Sequence, residues 1–324
     1  MKQQDRMKGF SEEIWAWFAR WKRTLPWRDL ALDDPTQCAY MILVSEVMLQ
    51  QTQVSRVEVI FRRFLERFPT LEALAVARNK DVILAWKGMG YNNRALRLRD
   101  AAKKIIERHD GVFPHGLEEL QAMKGIGPYT AAAIRNFAFH IPTPCVDTNI
   151  HRILRRVFID PQPEPVNAAL QRKVGNLADQ ALKIALDASS ASPAPGGTAD
   201  WHAALMDFGS LVCKKNVPAC DHCPLAASLC KSAFKVKQSK QDKRPSAEPG
   251  RVIGAVFVPN RIIRGRVVDA LREAERGMTM KQLGSYVCID WSANHHAWLD
   301  KILKDLIRDT LIAKKQQRYV LHEG

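Results

Sequence analysis

Met123-Lys124-Gly125-Ile126-Gly127-Pro128-Tyr129-Thr130 is the stretch from which the fold is read. It lies between two runs with helical apolar spacing, 117–122 and 128–139. Gly125 and Gly127 let the backbone turn tightly and approach a ligand closely. The N–H groups that follow point out at a helix N-terminus and make an anion site suited to a phosphate. Alone, Gly-x-Gly means no more than a tight turn. Between two helices and upstream of an acid, it points to phosphate binding beside chemistry.

That acid is Asp147, in Cys145-Val146-Asp147-Thr148-Asn149-Ile150-His151-Arg152. An aspartate there can cap the next helix. It can also stabilise a sugar cation, and the two roles coexist. A second carboxylate, Glu46, sits in Val44-Ser45-Glu46-Val47-Met48-Leu49-Gln50-Gln51-Thr52 among apolar neighbours. Burial would keep it protonated for general-acid work. A salt-bridged core acid is the plainer reading. Gln50 and Gln51 supply amides able to probe base edges.

Downstream, Cys213, Cys220, Cys223 and Cys230 form C-x6-C-x2-C-x6-C, a compact soft-ligand cage suited to zinc or an iron–sulfur cluster. Seven cysteines with four clustered argue for a reducing compartment and a metal rather than disulfides. Cys38, Cys145 and Cys288 read as packing residues. A net charge of +15 favours a polyanionic partner, although solvated lysines alone would give the same number. No apolar stretch is long enough to span a membrane, and the polar N-terminus carries no secretory signal. The expectation is a cytoplasmic protein.

The chain reads as mainly α. Helices are expected over 11–23, opened by a capping box at Ser11, and near 43–67, 78–86, 94–109, 117–122, 128–139, 149–157, 166–185 and 200–212. Residues 188–199 read as a flexible loop and 233–250 as a basic linker. From 251 a small domain follows, with helices at 266–275, 279–287 and 295–310 and a β-hairpin over 311–321. That pattern suits a winged helix, with a small helical interaction module as its rival. Three domains result: 1–232, the linker 233–250, and 251–324.

These motifs together resemble the helix-hairpin-helix glycosylase superfamily that includes endonuclease III, and its MutY-type adenine glycosylase branch in particular. The matching stretches are Leu25-Pro26-Trp27-Arg28, Ser45 to Thr52, Gly88-Met89-Gly90-Tyr91, the glycine hairpin, Val146-Asp147-Thr148-Asn149 and the cysteine cage, within residues 11–232. The resemblance implies a two-lobed fold and excision of adenine mispaired with 8-oxoguanine or guanine in double-stranded DNA, by a monomer. It makes Glu46 the general acid and Asp147 the stabiliser of the sugar cation, with Asn149 orienting Glu46. Gln50, Gln51 and Tyr91 would wedge into the duplex where the target base is flipped out. Arg28 and Asp207 would line the base pocket, and the four cysteines would hold a 4Fe–4S cluster. Bifunctional relatives carry a lysine where Tyr129 stands, and a tyrosine cannot form the imine that leads to strand cleavage.

Three departures stand out. The family's last cysteine spacing is usually one residue shorter, which keeps zinc open. A Nudix-like C-terminal domain is usual and is not recognisable here. Leu43 replaces a common tryptophan, as in a thymine-removing mismatch branch. Thymine or uracil excision opposite guanine, or non-catalytic DNA binding, are the alternatives. His295 and His296 read as surface or helix-start residues.

Overall fold

The computed structural model describes residues 2–30, 32–159, 167–187, 196–235 and 248–324. Most of the stretches read as the 188–199 loop and the basic linker lie outside them. The helices are α1 (Gln3–Trp21), α2 (Pro35–Leu49), α3 (Val54–Arg67), α4 (Leu71–Ala75), α5 (Asn79–Ala85), α6 (Asn93–His109), α7 (Leu117–Gln121), α8 (Pro128–Phe137), α9 (Thr148–Phe158), α10 (Ala168–Ala185), α11 (Thr198–Leu211), α12 (Asn260–Glu273), α13 (Met280–Val287) and α14 (His296–Arg308). The strands are β1 (Gly250–Ile253), β2 (Val256–Pro259), β3 (Met278–Thr279), β4 (Ile312–Lys315) and β5 (Arg318–Leu321). The mainly α architecture expected from the sequence is present.

Helix α12 runs over Asn260–Glu273 rather than 266–275, and two further differences from the expected bounds have clear reasons. Helix α1 starts at Gln3, so Ser11 is no cap. It is buried inside the helix and donates to the Met7 carbonyl at 3.1 Å. Met7, Phe10, Ile14, Trp17 and Phe18 form one buried stripe, which carries the helix back past Ser11. The expected helix over 43–67 is two helices. Gln51 breaks it with φ +55°, in the left-handed region that side chains seldom adopt.

The chain divides into two compact units. The first comprises Met1–Ile42, His115–Ala122 and Ile126–Asp242. Its core gathers α1, α9, α10 and α11 around Phe10, Ile153, Val174, Trp201 and Phe208. Phe10 meets Phe158 edge-on at 5.3 Å, and Trp15 donates its indole N–H to the Ala185 carbonyl at 3.2 Å. This packing fixes α9, and with it Asp147 at its start.

The second unit comprises Leu43–Pro114, Met123–Gly125 and Lys243–Gly324. Helices α3 to α6 bury Phe61, Phe64, Leu74 and Trp86, with Phe64 and Trp86 edge-on at 5.7 Å. The C-terminal segment runs α12, β3, α13, α14, β4, β5. Its antiparallel sheet is ordered β3-β5-β4, with Met278 opposite Tyr319 and Lys315 opposite Arg318. That is winged-helix topology, preceded by a β1–β2 hairpin that the sequence had not suggested. Gly277 has φ +68°, and a Cβ there would stand 2.4 Å from the Tyr319 carbonyl oxygen, so only glycine can enter β3. Thr279 and Gln282 form a capping box at the start of α13. The segment shares its core with Ile83 and Leu96 of α5 and α6.

Candidate active site and cysteine cage

Asp147 is the N-cap of α9. Its Oδ1 accepts from the Ile150 N–H at 2.7 Å, and its Oδ2 from the Asn149 amide at 2.8 Å. The Asn149 carbonyl in turn accepts from Arg152 at 2.7 Å. The same guanidinium donates to the carbonyls of Gly209 at 2.8 Å and Cys213 at 2.7 Å. Burial pushes the Asp147 carboxyl up from its ordinary range, while the Ile150 N–H, the Asn149 amide and Arg152 pull it back. Asn149 thus grips Asp147. Gly209 makes this possible, since a Cβ there would stand 2.6 Å from the Asn149 Cβ.

The strand of chain entering Asp147 hangs on a buried polar network. Asn136 donates to the Thr143 carbonyl at 2.7 Å and accepts the Thr143 N–H at 3.0 Å. His202 Nδ1 donates to the Thr198 carbonyl at 2.8 Å, so Nε2 accepts the Cys145 N–H at 3.3 Å. Burial pushes the His202 pKa down to about 4, which keeps the ring neutral in this role.

Asp207 is fully buried and meets two guanidinium groups. Arg28 binds both its oxygens at 2.7 and 2.9 Å, and Arg23 adds its Nε at 2.6 Å. Arg28 also lines a cleft of about 300 Å³ with Trp27, Cys38 and Phe137. Asp207 lies beneath Arg28 as its counter-ion.

The glycine hairpin joins α7 to α8. Gly125 has φ +104°, a conformation that demands glycine. Gly127 caps α8 with no side-chain hydrogen bond, Pro128 takes the first turn, and both glycines are exposed. Tyr129 is half-buried against Ala132, Ala133 and Cys145.

In the second unit, Glu46 is buried on α2, 6% exposed. Gln50, Gln51 and Tyr91 are exposed, on two turns with positive φ: Gln51 at +55°, Gly88 at +90°, Gly90 at +66° and Tyr91 at +45°. Arg94 ties these turns together. It donates to the carbonyls of Val47, Met48 and Gln50 at the end of α2. On its other side it donates to Met89, Gly90 and the Thr52 hydroxyl. Its plane lies over the Trp86 and Tyr91 rings at 5.5 and 5.6 Å. Burial pushes its pKa down to about 10, and the negative end of the α2 dipole compensates the charge. Sequence reading missed Arg94, Arg152 and Arg23. The available signal, for Arg94, was an arginine beside Ala95, Leu96 and Leu98 in α6, whereas Arg23 lies outside any helix and Arg152 beside other arginines.

The four cysteines gather at the end of α9. Arg156 reaches Cys213 Sγ at 3.5 Å and donates to the Lys214 and Lys215 carbonyls at 2.7 Å each. Cys230 Sγ meets the Arg156 carbonyl at 3.4 Å. Burial pushes the Cys223 thiol up to about 12, with Cys213, Cys230 and Cys220 adding to the rise. Among the described residues, one trio of metal-capable side chains has ligand atoms mutually within 4.8 Å: Cys288, Asp290 and His295. Cys213, Cys220, Cys223 and Cys230 remain a soft-ligand set able to hold zinc or an iron–sulfur cluster. The closeness of the Cys288 trio follows from a hydrogen-bonded turn. Cys288 Sγ meets Asp290 at 3.0 Å, and the Ser292 N–H donates to His295 Nδ1 at 3.2 Å. His295 is thus buried at the start of α14, so of the two readings, surface or helix start, the second holds.

Fold and motifs define a base excision DNA repair protein. The chain belongs to the HhH-GPD superfamily of such proteins, whose family model matches residues 44–176. Within it the chain is of the MutY type. It is 34% identical over 294 residues to the adenine DNA glycosylase of Mycolicibacterium smegmatis, covering 90% of each chain. It is 36% identical over 234 residues to the adenine DNA glycosylase of Homo sapiens, covering 71% of this chain and 40% of that one. A solved thermostable thymine-DNA glycosylase matches with TM-score 0.60 and 27% identity, over 71% of this chain and 98% of that one. Endonuclease III from a non-covalent DNA complex shares the fold, with TM-score 0.56, 21% identity, and 72% and 98% coverage.

Proposed function

We propose that this chain is a monofunctional adenine DNA glycosylase of base excision repair, acting on adenine opposite 8-oxoguanine or guanine in duplex DNA. The alignment with adenine DNA glycosylases along nine-tenths of the chain carries the reading. The reaction is hydrolysis. Glu46 donates a proton to the adenine ring, the C1′–N9 bond breaks, and its electron pair leaves with the base. The Asp147 carboxylate stabilises the cation left on the sugar. Water adds to C1′ and returns its proton to Glu46. Asn149 and Arg152 position Asp147. Gln50, Gln51 and Tyr91 fill the gap left by the flipped nucleotide, and the Gly125–Gly127 hairpin binds a phosphate. Arg28 borders the base pocket.

Tyr129 offers no amine at the hairpin, so strand cleavage requires added alkali. Cys213, Cys220, Cys223 and Cys230 hold a 4Fe–4S cluster whose contribution is to fix the loop that Arg152 and Arg156 grip. The protein works as a monomer in the cytoplasm or nucleoid. Among the described residues no helix is long and apolar enough to cross a membrane. A second reading, thymine or uracil excision opposite guanine, is favoured by Leu43 and by the likeness to the thymine-DNA glycosylase. Single-turnover base release from A·8-oxoG, A·G, T·G and U·G duplexes separates the two readings. Release of thymine or uracil without adenine would replace the first by the second.

A further inference from the structure

Beside the wedge turns, α12 walls a cleft of about 730 Å³ within the second unit. Seven of its lining side chains are arginines and one, Asp269, is an acid, so the cleft is built for an anion. Three of these arginines are structural: Arg94, which holds the two turns, and two on α12. Arg264 pairs with Asp309, which also accepts from Asn93 at 3.0 Å. Arg272, its side chain 2% exposed, donates to the Ile83 carbonyl at 3.0 Å and to Asn92 at 2.8 Å. Together they lock α12 against α5 and α6. Three others, Arg97, Arg261 and Arg266, are exposed. Arg261 pairs with Glu248 at 2.8 Å and lines the cleft together with Tyr91, so α12 borders the wedge itself.

The face by which a winged helix ordinarily meets DNA is different here. On α14, Lys304 is paired with Asp300 at 2.6 Å and Arg308 with Asp305 at 2.8 Å. At the β4–β5 wing, Lys315 is paired with Glu323 at 2.9 Å. Three of the cations on that face are thus paired with acids, whereas the seven arginines lining the cleft meet one lining acid, Asp269.

We propose that this cleft holds the phosphate backbone of duplex DNA next to the wedge, so that the C-terminal winged helix binds DNA through α12 rather than through α14 and the wing. The inference rests on the wedge reading of Gln50, Gln51 and Tyr91. Arg97, Arg261 and Arg266 each offer a forked guanidinium suited to two phosphate oxygens.

The test is binding of the full-length protein to an undamaged duplex across a salt series. Phosphate binding does not depend on which base is excised, so this assay is independent of substrate identity. Arg261→Ala with Arg266→Ala is expected to weaken binding about tenfold at 0.15 M salt. It should also flatten the slope of log K against log salt by about 2, near 0.9 for each phosphate no longer neutralised. Arg97→Gln, on α6, is expected to flatten it by about 1. Lys314→Ala with Lys315→Ala, at the wing, should leave both unchanged. The inference is overturned if the α12 pair and Arg97→Gln keep the wild-type slope, or if the wing pair alone loses affinity. A wild-type protein that binds no duplex DNA would overturn the glycosylase reading as well. Wild-type binding with an unaffected α12 pair removes this inference alone.

Discussion

Asp147 and the turns at Gln51 and Gly88–Tyr91 are both held by buried polar contacts, but by opposite means. Asp147 is a half-buried carboxylate gripped by two small donors, a helix N–H and the Asn149 amide, and Asn149 is held in turn by an arginine shared with two carbonyls. The two turns rest on one buried cation, Arg94, surrounded by five carbonyls and a hydroxyl. The first arrangement spreads its energy over several elements, so no single neighbour is indispensable. The second concentrates it in one side chain, while the backbone it supports lies in a sparsely populated region. Chemistry should therefore be fragile at Asp147 itself, and the shape of the two turns at Arg94.

The largest expected effect sharpens the first half of that contrast. Asp147→Asn keeps an equally good N-cap, so the melting temperature should hold while base release falls by at least about 10²–10³-fold. A parallel loss of stability would mean that Asp147 is chiefly a cap. Next, Arg94→Met leaves several buried carbonyls without donors and should cost about 3–4 kcal/mol in urea unfolding. Arg94→Lys, with three donors and no plane, should recover only part of this. Unfolding free energies unchanged in both variants would break the comparison.

A third effect concerns the network leading into Asp147. The folded pKa of His202, about 4, lies below its ordinary value of 6.5. The folded state therefore binds fewer protons between those values. Stability from this group is complete above about pH 6.5 and lost as pH falls toward 4, by up to roughly 3 kcal/mol. His202→Gln removes this titration, so its unfolding free energy should vary less with pH across that window than that of the wild type. Smallest is Gly209→Ala, whose Cβ crowds Asn149 and should cost about 1–3 kcal/mol. Base release should fall more than stability does, because Asn149 orients Asp147. Equal declines would reduce Asn149 to packing.

Much of this was legible in the sequence wherever a local rule governs. Gly125 and Gly127, the Asp147 cap, the cysteine spacing and the C-terminal helices each announce themselves over a few residues. What stayed hidden depends on distant partners. Ser11 imitates a cap because the spacing rule is local, while the stripe that overrides it begins at Met7. The break at Gln51 was invisible because its cause, Arg94, lies 43 residues further on. The pairing of Asp207 with Arg23 and Arg28 spans the length of the first unit. The β1–β2 hairpin is short and half-exposed, with too little alternation to read.

The most direct test is single-turnover base release from an A·8-oxoG duplex by the wild-type holoprotein, with Glu46→Gln and Asp147→Asn beside it. Free adenine from the wild type alone, with strand breaks only after alkali, is the predicted result. Strand cleavage without alkali, or adenine release undiminished in both variants, would contradict the account.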